Sequence, residues 1–579
     1  MIKCISRESL ERMRGRFERL YGADLAARCV ERAVMLVGRY GVGLDARPPA
    51  APWSERDALL IAYGDMVRRE GEAPLATLGR FAGGALRGAF SMLHVLPFFP
   101  YSSDDGFAVL GYREVNPSLG DWRDIRRLGE SNRLMVDLVL NHCSRGHPWF
   151  RDYVLGIDPY AGYFVEADPG ADLSAVVRPR PSPLLHQVQT RMGTRWVWMT
   201  FGEDQVDLNF AEPDVLFELL DILITYIANG ARIVRLDAVA FLWKEPGTSC
   251  VHLPQTHEVV KLIRDFLEIV APDVILVTET NVPHAENVGY FGCGDEAHVV
   301  YQFSLPPLLL HGLLSGSARH LASWAAGLGS PPPGCAFLNF TASHDGIGVR
   351  PLEGLVPGDA VGWIASEVVR RGGRVSSRSV AGGGEAPYEL NTTFYDALGF
   401  PGGEPRGGLH LRRFLCSQAI PMSLKGIPAF YFNSLLAAPN DQEGFQLLGY
   451  PRALNRRRWR EEEAVQLLAG EGPPAVACRE ILRMLAVRSA HPAFHPDGGQ
   501  RILDMGDAIF CVERLVPGGA GKVVCIHNMI SEPVTIGVDE GSQDLLGGLR
   551  VAAGGRAEIE PYGVAWLASH GGPAGRNRD

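Results

Sequence analysis

Residues 213–239 read PDVLFELLDILITYIANGARIVRLDAV, a helix pattern followed directly by a strand pattern. Apolar residues recur at helical spacing over 216–227, with Pro213 near the expected first turn and Gly230 at the expected end. The run 233–239 is almost continuously apolar, which is typical of a parallel strand covered on both faces. Such a helix–strand unit is the building block of an α/β fold.

Seven further apolar runs of the same kind lie along the chain. Together the eight runs cover residues 59–62, 92–96, 134–140, 233–239, 274–278, 298–303, 336–341 and 428–432. Eight strands that alternate with helices predict a (β/α)8 barrel, the TIM barrel of the α/β class. The helical pattern at 475–489 is expected to close it.

The rest of the chain predicts additions to this barrel. Residues 1–50 are expected to form an N-terminal helical extension, 51–495 the catalytic barrel, and 496–579 a small C-terminal all-β domain. The intervals 144–204, after strand three, and 346–405, after strand seven, are too long for simple connections. Both follow the carboxyl end of a strand, so these inserted segments are expected to lie over the mouth where barrel active sites form.

Composition excludes several functional classes. The net charge of −10 at pH 7 argues against a general nucleic-acid binder. No apolar stretch approaches the ~20 residues of a membrane span, and the charged first 21 residues do not resemble a secretory signal. The ten cysteines contain no CxxC spacing, which argues against a disulfide scaffold or a structural zinc site. A cytoplasmic location is therefore expected.

Four of the eight runs finish in polar residues or lead into them, where strand becomes loop. These sets are Asp137-Leu-Val-Leu-Asn141-His142, Arg235-Leu236-Asp237, Thr278-Glu279-Thr280 and Ser343-His344-Asp345. One such residue alone would be interpreted as a turn or cap. Four sets at four strand ends predict an active site at the catalytic face of the barrel.

Asp237 and Glu279 fall on consecutive strands, which lie ~4.8 Å apart in a sheet. At matched heights the two carboxyl groups would approach the ~5–5.5 Å separation of a retaining glycosidic mechanism. Arg235 shares a strand face with Asp237, and a nearby cation favours an ionised carboxylate, which suits a nucleophile. Glu279 has no cation within two positions in the sequence and is expected to carry the proton.

The four sets together resemble the α-amylase superfamily, glycoside hydrolase family 13, from about residue 55 to the C-terminus. Further motifs resemble the sucrose phosphorylase subfamily. They are Ser103–Phe107 (SDDGF), Gln205–Asp207 (QVD), Lys244–Cys250 (KEPGTSC) and His344–Gly348 (HDGIG). Within that subfamily, Thr278–His284 (TETNVPH), Tyr290–Gly292 (YFG) and Asp295–His298 (DEAH) look most like the glucosylglycerate phosphorylases.

The resemblance implies roles for these residues. Asp237 matches the nucleophile that forms a β-glucosyl-enzyme, Glu279 the general acid/base, and Asp345 the third carboxylate, which holds the sugar hydroxyls. The other residues match substrate-binding positions around one glucosyl unit. They are Arg235, His142 and His344 around the sugar, Gln205 in the QVD motif, Asp104 at its far end, and Phe107 and Phe201 as aromatic walls. For both phenylalanines, core packing is the alternative interpretation.

The resemblance also places a phosphate site, at the loop 387–391 with Tyr388 and at the segment 452–456 with Arg452 and Arg456. Arginine suits phosphate because its planar fork donates bidentate hydrogen bonds. A solvated helix start is the alternative interpretation of Arg456 and the two arginines that follow it. Glu389 and the segment 449–451 differ from some sucrose phosphorylases.

The implied reaction is phosphorolysis of 2-O-α-glucosylglycerate to α-D-glucose 1-phosphate and D-glycerate. Sucrose or glucosylglycerol as the substrate, and hydrolysis by the same residues, are the alternatives, with a non-catalytic sugar-binding protein as the least favoured. No cofactor and no metal are expected. The expected partners are the α-glucoside and inorganic phosphate, without nucleic acid or membrane. A homodimer is one option for the oligomeric state.

Overall fold

The computed structural model describes residues 5–40, 52–379, 384–402, 408–519, 521–539, 541–549, 551–552 and 554–569. The predicted boundary between an N-terminal extension and the barrel, at residues 50 and 51, lies outside these ranges. The predicted inserted segment 346–405 lies partly outside them, at residues 380–383 and 403–405.

Eight parallel strands form a closed barrel, which confirms the predicted fold class. In chain order they are Leu59–Ala62, Met92–Val95, Arg133–Val139, Ala231–Asp237, Ile275–Thr278, Val299–Tyr301, Ala336–Phe340 and Ile427–Tyr431. Each strand pairs with its neighbours in chain order, and the first closes the ring on the eighth. The strand residues are buried almost throughout, which explains why their sequences are apolar rather than alternating.

The unit that opens the sequence analysis forms as predicted. The helix Pro213–Ala228 has Pro213 in its first turn, and its apolar face is buried. Gly230 has φ of 105°, a conformation that favours glycine, and it turns the chain into the strand Ala231–Asp237. The α-helices of the described chain are Arg7–Tyr21, Ala23–Tyr40, Pro74–Gly84, Trp122–Ser131, Pro148–Val154, Pro213–Ala228, Pro254–Val270, His284–Val288, Leu305–Ser315, Arg319–Gly327, Ala360–Arg370, Phe394–Ala397, Leu409–Ser423, Phe432–Leu435, Gln442–Leu448, Glu461–Ala469 and Pro473–Ser489.

The two long intervals carry small antiparallel sheets. The first contains the hairpin Leu185–Thr190 with Gly193–Trp198, and the short strand Gln205–Asp207 that follows it pairs with His142–Ser144. The second contains a three-stranded sheet in which Glu385–Asn391 lies between Ile347–Gly348 and Arg374–Ser379.

The strand Glu385–Asn391 contains a β-bulge. Ser376 pairs with Glu389 while the next residue, Ser377, pairs with Pro387, so Tyr388 is an extra residue in the ladder. Consecutive residues of a regular strand point to opposite faces, and a bulge re-aims one of them. Tyr388 and Glu389 consequently line the same cavity.

The N-terminal segment contains the helices Arg7–Tyr21 and Ala23–Tyr40. Its first helix, Arg7–Tyr21, packs along the barrel helix Pro254–Val270. Nε of Arg16 lies 2.5 Å from Oδ2 of Asp265, and Nε of Arg12 lies 2.7 Å from Oδ1 of the same carboxylate. This buried charge cluster fixes the helix against the outside of the barrel.

The C-terminal region is antiparallel β-structure, which confirms that part of the predicted fold class. One sheet has the order Gly499–Leu503, Ile509–Leu515, Lys522–Asn528, Val564–Ser569, Ser542–Asp544, and the other Val534–Gly537, Arg556–Ile559, Val551–Ala552. Four of these strands match the strand-like runs of the sequence at 508–514, 522–527, 533–538 and 564–568. The sequence did not predict the others, since strands such as Ser542–Asp544 are short and polar. In all the ranges described above, no helix is both long enough and apolar enough to cross a bilayer.

Gly426 precedes the eighth barrel strand, where its backbone lies close to that of the seventh strand. Its φ is 126°, and an added Cβ would lie 2.5 Å from the carbonyl oxygen of Phe337. We expect Gly426→Ala to lower the free energy of unfolding by about 3 kcal/mol, because backbone strain and a backbone clash combine. Gly334→Ala is the control, since Gly334 has φ of 76° but no atom within 4 Å of an added Cβ. Equal shifts of the thermal unfolding midpoint in both variants would contradict this prediction.

Candidate active site

A cavity at the carboxyl ends of the barrel strands contains the predicted carboxylates. We name it the carboxylate pocket, defined by Asp237, Glu279 and Asp345, which all line it. Eight more of the predicted site residues also line it: Asp104, Phe107, His142, Phe201, Gln205, His344, Tyr388 and Arg452. Arg235 and Arg456 lie behind its wall. The structure therefore brings together residues that span more than 300 positions of the chain.

Asp237 and Glu279 are neighbours across two barrel strands. Thr278 pairs with Leu236, and the pairing continues with the N–H of Glu279 donating to the carbonyl of Leu236 at 3.1 Å. Ala238 has φ of 50°, and its N–H donates to Oε2 of Glu279 at 2.9 Å. The turn after the fourth strand thus holds the Glu279 carboxyl beside Asp237.

The guanidinium of Arg235 lies close to both carboxylates. Its Nη1 lies 2.9 Å from Oδ1 of Asp237 and also pairs with Asp137, while its Nη2 lies 3.8 Å from Oε2 of Glu279. The sequence correctly predicted the contact with Asp237. Glu279 has no cation within two positions in the sequence, but the neighbouring strand brings Arg235 within reach of it.

The protonation of the pair follows from these contacts. Burial raises the pKa of Glu279 above its ordinary value, although Arg235 acts in the opposite direction. Burial also raises the pKa of Asp237. The sequence suggested that the neighbouring cation sets the charge of Asp237, but burial acts against that cation. Repulsion between adjacent carboxylates favours one proton on the pair. Arg235 lies nearer to Asp237 than to Glu279, which favours the charge on Asp237.

Neighbouring arginines stabilise the ionised form of Asp345. Burial alone would raise the pKa of Asp345, but Arg452, Arg456 and Arg235 together lower it. Nη1 of Arg452 lies 2.8 Å from Oδ1 of Asp345. The same guanidinium donates from Nε and Nη2 to the two oxygens of Glu389, at 2.9 Å each. Arg452 is therefore held in a bidentate pair at the pocket wall, beside the position predicted for phosphate.

Arg456 lies next to the pocket but is not among the residues that line it. Its side chain is buried, and Nη1 lies 2.5 Å from Oδ2 of Asp105 while Nε donates to the carbonyl of His344 at 2.9 Å. Its Nη2 lies 3.8 Å from Oδ1 of Asp345. Arg456 thus positions the loops that carry the site, and its predicted contact with phosphate stays a prediction.

The turn 104–106 brings one carboxylate into the pocket and another behind it. Asp104 and Asp105 have φ of 52° and 49°, and an added Cβ on Gly106 would lie 2.7 Å from the carbonyl oxygen of Pro97. Asp105 is fixed by Tyr450, whose hydroxyl donates to Oδ2 at 2.6 Å. Asp104 lines the pocket and accepts a 3.4 Å hydrogen bond from Nε2 of Gln205. The strained turn therefore presents Asp104 to a ligand.

Aromatic rings and two neutral histidines complete the walls. The ring of Phe107 stacks on His344 at 4.9 Å, and Phe201 lies 5.2 Å from His142 between ring centroids. Burial lowers the pKa of His142 and of His344, so both are uncharged hydrogen-bonding groups at neutral pH. Both phenylalanines line the pocket, which favours the binding interpretation over core packing.

Six lining residues were not predicted as site residues, and Arg180 and Asn281 are two of them. Arg180 comes from the first inserted segment, with its guanidinium 5.3 Å from the ring centre of Tyr388 and 3.7 Å from Glu389. Asn281 lines the pocket, and its Oδ1 is buried without a hydrogen-bond partner among the described residues. The segment around Arg180 has no periodic pattern, so no signal in the sequence pointed to it. Asn281 lies within the quoted TETNVPH motif, which was the available signal.

Asn141 and Asp207 lie behind the pocket and share a buried cation. Nζ of Lys244 lies 2.7 Å from Oδ1 of Asn141 and 2.7 Å from Oδ2 of Asp207. The lysine ammonium therefore holds the strand Gln205–Asp207 to the end of the third barrel strand. No group of three or more His, Cys, Asp or Glu side chains suited to a metal is found within the described ranges.

Comparisons with known proteins match this geometry. Residues 89–318 fit the family description "Alpha amylase, catalytic domain". The chain is 45% identical over 546 residues to the glucosylglycerate phosphorylase of Allomeiothermus silvanus, covering 93% of this chain and 96% of the relative. Identity to the glucosylglycerol phosphorylase of Marinobacter adhaerens is 32% over 450 residues, covering 75% and 87%.

A crystal structure of sucrose 6F-phosphate phosphorylase from Thermoanaerobacter thermosaccharolyticum has the same architecture. It superposes with a TM-score of 0.72 at 25% identity, covering 83% of this chain and 95% of that one. The chain therefore belongs to the α-amylase family, glycoside hydrolase family 13, and within it to the sucrose phosphorylase subfamily that contains the glucosylglycerate phosphorylases.

Proposed function

We propose that this protein is a retaining glycoside phosphorylase that converts 2-O-α-glucosylglycerate and inorganic phosphate to α-D-glucose 1-phosphate and D-glycerate. The observation that carries the reaction type is the pair Asp237 and Glu279, held side by side with Arg235 nearer to Asp237. The choice of glucosylglycerate is supported by 45% identity to a glucosylglycerate phosphorylase, against 32% to a glucosylglycerol phosphorylase.

In the first step Asp237 attacks C1 of the glucosyl unit. The bond from C1 to the glycosidic oxygen breaks, and Glu279 gives its proton to that oxygen as D-glycerate leaves. An ester between C1 and Asp237 results, with inverted configuration. The raised pKa of Glu279 supports this role, because a buried glutamic acid keeps its proton nearer to neutral pH.

In the second step an oxygen of phosphate attacks C1 from the side that glycerate left. The bond from C1 to Asp237 breaks, and Glu279 takes the proton of the attacking phosphate hydroxyl, which restores both carboxyl groups. Two inversions give α-D-glucose 1-phosphate. Asp345, ionised by Arg452, is placed to hold the sugar hydroxyls as positive charge develops at C1.

Tyr388 and Arg452 are the proposed phosphate-binding residues. Both line the carboxylate pocket, and the guanidinium of Arg180 lies 5.3 Å from the ring centre of Tyr388. Arg452 is already paired with Glu389 and Asp345, so phosphate would bind at the edge of that network. The oligomeric state and the cytoplasmic location stay predictions.

Product analysis tests the function. The protein is incubated with glucosylglycerate, sucrose or glucosylglycerol, each with and without phosphate, and glucose 1-phosphate and free glucose are measured. We expect phosphate-dependent glucose 1-phosphate from glucosylglycerate, with at least about 10-fold lower kcat/KM for the two neutral donors, because they lack the carboxylate. Free glucose that forms at the same rate without phosphate would identify a hydrolase. Preference for sucrose or glucosylglycerol would overturn the assigned leaving group.

A further inference from the structure

A second cavity adjoins the carboxylate pocket and contains three arginines. We name it the arginine pocket, defined by Arg178, Arg350 and Arg378. It shares five lining residues with the carboxylate pocket: Phe201, Ala238, Glu279, Asn281 and Tyr388. The arginine pocket is thus reached across Glu279, the group assigned to protonate the leaving oxygen.

The three arginines come from both inserted segments. Arg178 belongs to the segment after the third barrel strand. Arg350 begins the helical turn Arg350–Leu352 after the seventh strand, and Arg378 lies on the strand Arg374–Ser379 of the same insertion. Two elements that are far apart in the chain therefore place cations at one position above the barrel.

The positive charge of this cluster is only partly compensated. Nη2 of Arg350 lies 3.3 Å from Glu286, and Nη2 of Arg378 lies 2.7 Å from Glu353. These carboxylates are 39% and 48% exposed, and pairs with exposed partners are weak. Within the described part of the chain, Arg178 has no carboxylate within 4.0 Å, and the buried Nε of Arg378 has no hydrogen-bond partner.

The cations of the carboxylate pocket, in contrast, already have carboxylate partners inside that pocket. Arg452 is paired with Asp345 and Glu389, and Arg180 lies 3.7 Å from Glu389. A small organic acid that leaves past Glu279 would therefore find its matching charge in the arginine pocket rather than around the glucosyl unit. Arginine forks suit a carboxylate because they donate two parallel hydrogen bonds.

We propose that Arg178, Arg350 and Arg378 bind the carboxylate of the leaving group and so select glycerate over neutral alcohols. This assignment rests on the proposed function. The side-chain amide of Asn281, which lines both pockets, supplies an acceptor for a glycerate hydroxyl.

The test uses the reverse reaction, with glucose 1-phosphate as donor and D-glycerate or glycerol as acceptor. The variants are Arg378→Gln and Arg350→Gln. Arg374→Gln is the matched control, because Arg374 lies on the same strand but its guanidinium lies 5.2 Å from the ring centre of Phe445, outside both pockets. Thermal unfolding of all variants is compared with that of the wild type.

We expect each variant to raise the KM for D-glycerate by about 10- to 100-fold, the loss typical of a hydrogen bond to a charged group. The KM for glucose 1-phosphate and the turnover with glycerol should stay within about 3-fold of the wild type, as should every value for Arg374→Gln. The ratio of kcat/KM for D-glycerate to that for glycerol should fall by at least about 10-fold.

Two outcomes would overturn the assignment of the arginines and leave the proposed function intact. An unchanged KM for D-glycerate in both variants would remove the arginines from recognition. A parallel rise in the KM for glucose 1-phosphate would show that they bind the phosphate group instead. A wild-type protein that fails to use D-glycerate at all would overturn the proposed function, and this is seen before any variant is compared.

Discussion

The Asp237→Asn variant should lose phosphorolysis of glucosylglycerate by about 10⁴-fold or more in kcat. The amide cannot form the ester with C1, and phosphate cannot attack the intact substrate from the face that Asp237 occupies. Arg235 keeps its second partner, Asp137, so the variant should remain folded. Initial rates of glucose 1-phosphate formation measure the effect, and thermal unfolding checks the fold.

Asp507→Asn is the control for this experiment. Asp507 makes a surface ion pair with Arg319 at 2.7 Å, so the same chemical change should leave the rate unaltered. Rates within 10-fold of the wild type for Asp237→Asn would exclude Asp237 as the nucleophile. Loss of activity together with an early unfolding transition would point instead to a structural role.

The Glu279→Gln variant should separate two kinds of leaving group. Release of glycerate needs a proton on the glycosidic oxygen, so its rate should fall by about 10²- to 10⁴-fold. Fluoride leaves without protonation, so glucosylation of Asp237 by α-glucosyl fluoride should be nearly unchanged. We expect a burst of fluoride release followed by slow turnover. Equal losses with both donors would contradict the assignment of Glu279 as the general acid.

The pH dependence of glycerate release gives a second measure of Glu279. Its acid form is the active one, so kcat/KM falls as the pH rises through its pKa. Because burial raises that pKa, the alkaline limb should lie above the ordinary glutamate value of about 4.3. The limb should vanish in Glu279→Gln and persist in the control Glu203→Gln, whose side chain is 71% exposed. A limb that persists in Glu279→Gln would assign the titration to another group.

The barrel could be predicted because its strands are defined locally. Each run is buried on both faces, so it is visible as apolar sequence, and the observed strands differ from the predicted runs by at most two residues at either end. The carboxylates were predictable for the same reason, since strand ends fix where Asp237 and Glu279 lie. These features depend on a few neighbouring residues and on the regular geometry of a parallel barrel.

The parts that could not be predicted depend on contacts between loops. The pairing of Arg452 with Glu389 joins positions 63 apart, and the burial of Arg456 behind Asp105 joins positions 351 apart. Arg180 reaches Tyr388 from the other inserted segment. Nothing in the local sequence encodes such distances, and the three-dimensional arrangement alone distinguishes an arginine that lines a pocket from one that supports it.

The extra residue at Tyr388 makes substrate recognition depend on the length of the chain as well as on its composition. A substitution at Tyr388 or Glu389 changes one side chain, whereas removing one residue from Glu385–Asn391 would restore regular alternation and turn one of the two away from the ligand. Single-residue insertions and deletions in this strand are therefore the steps by which such an enzyme could change its donor in one event. Libraries that hold the strand length constant would not sample them.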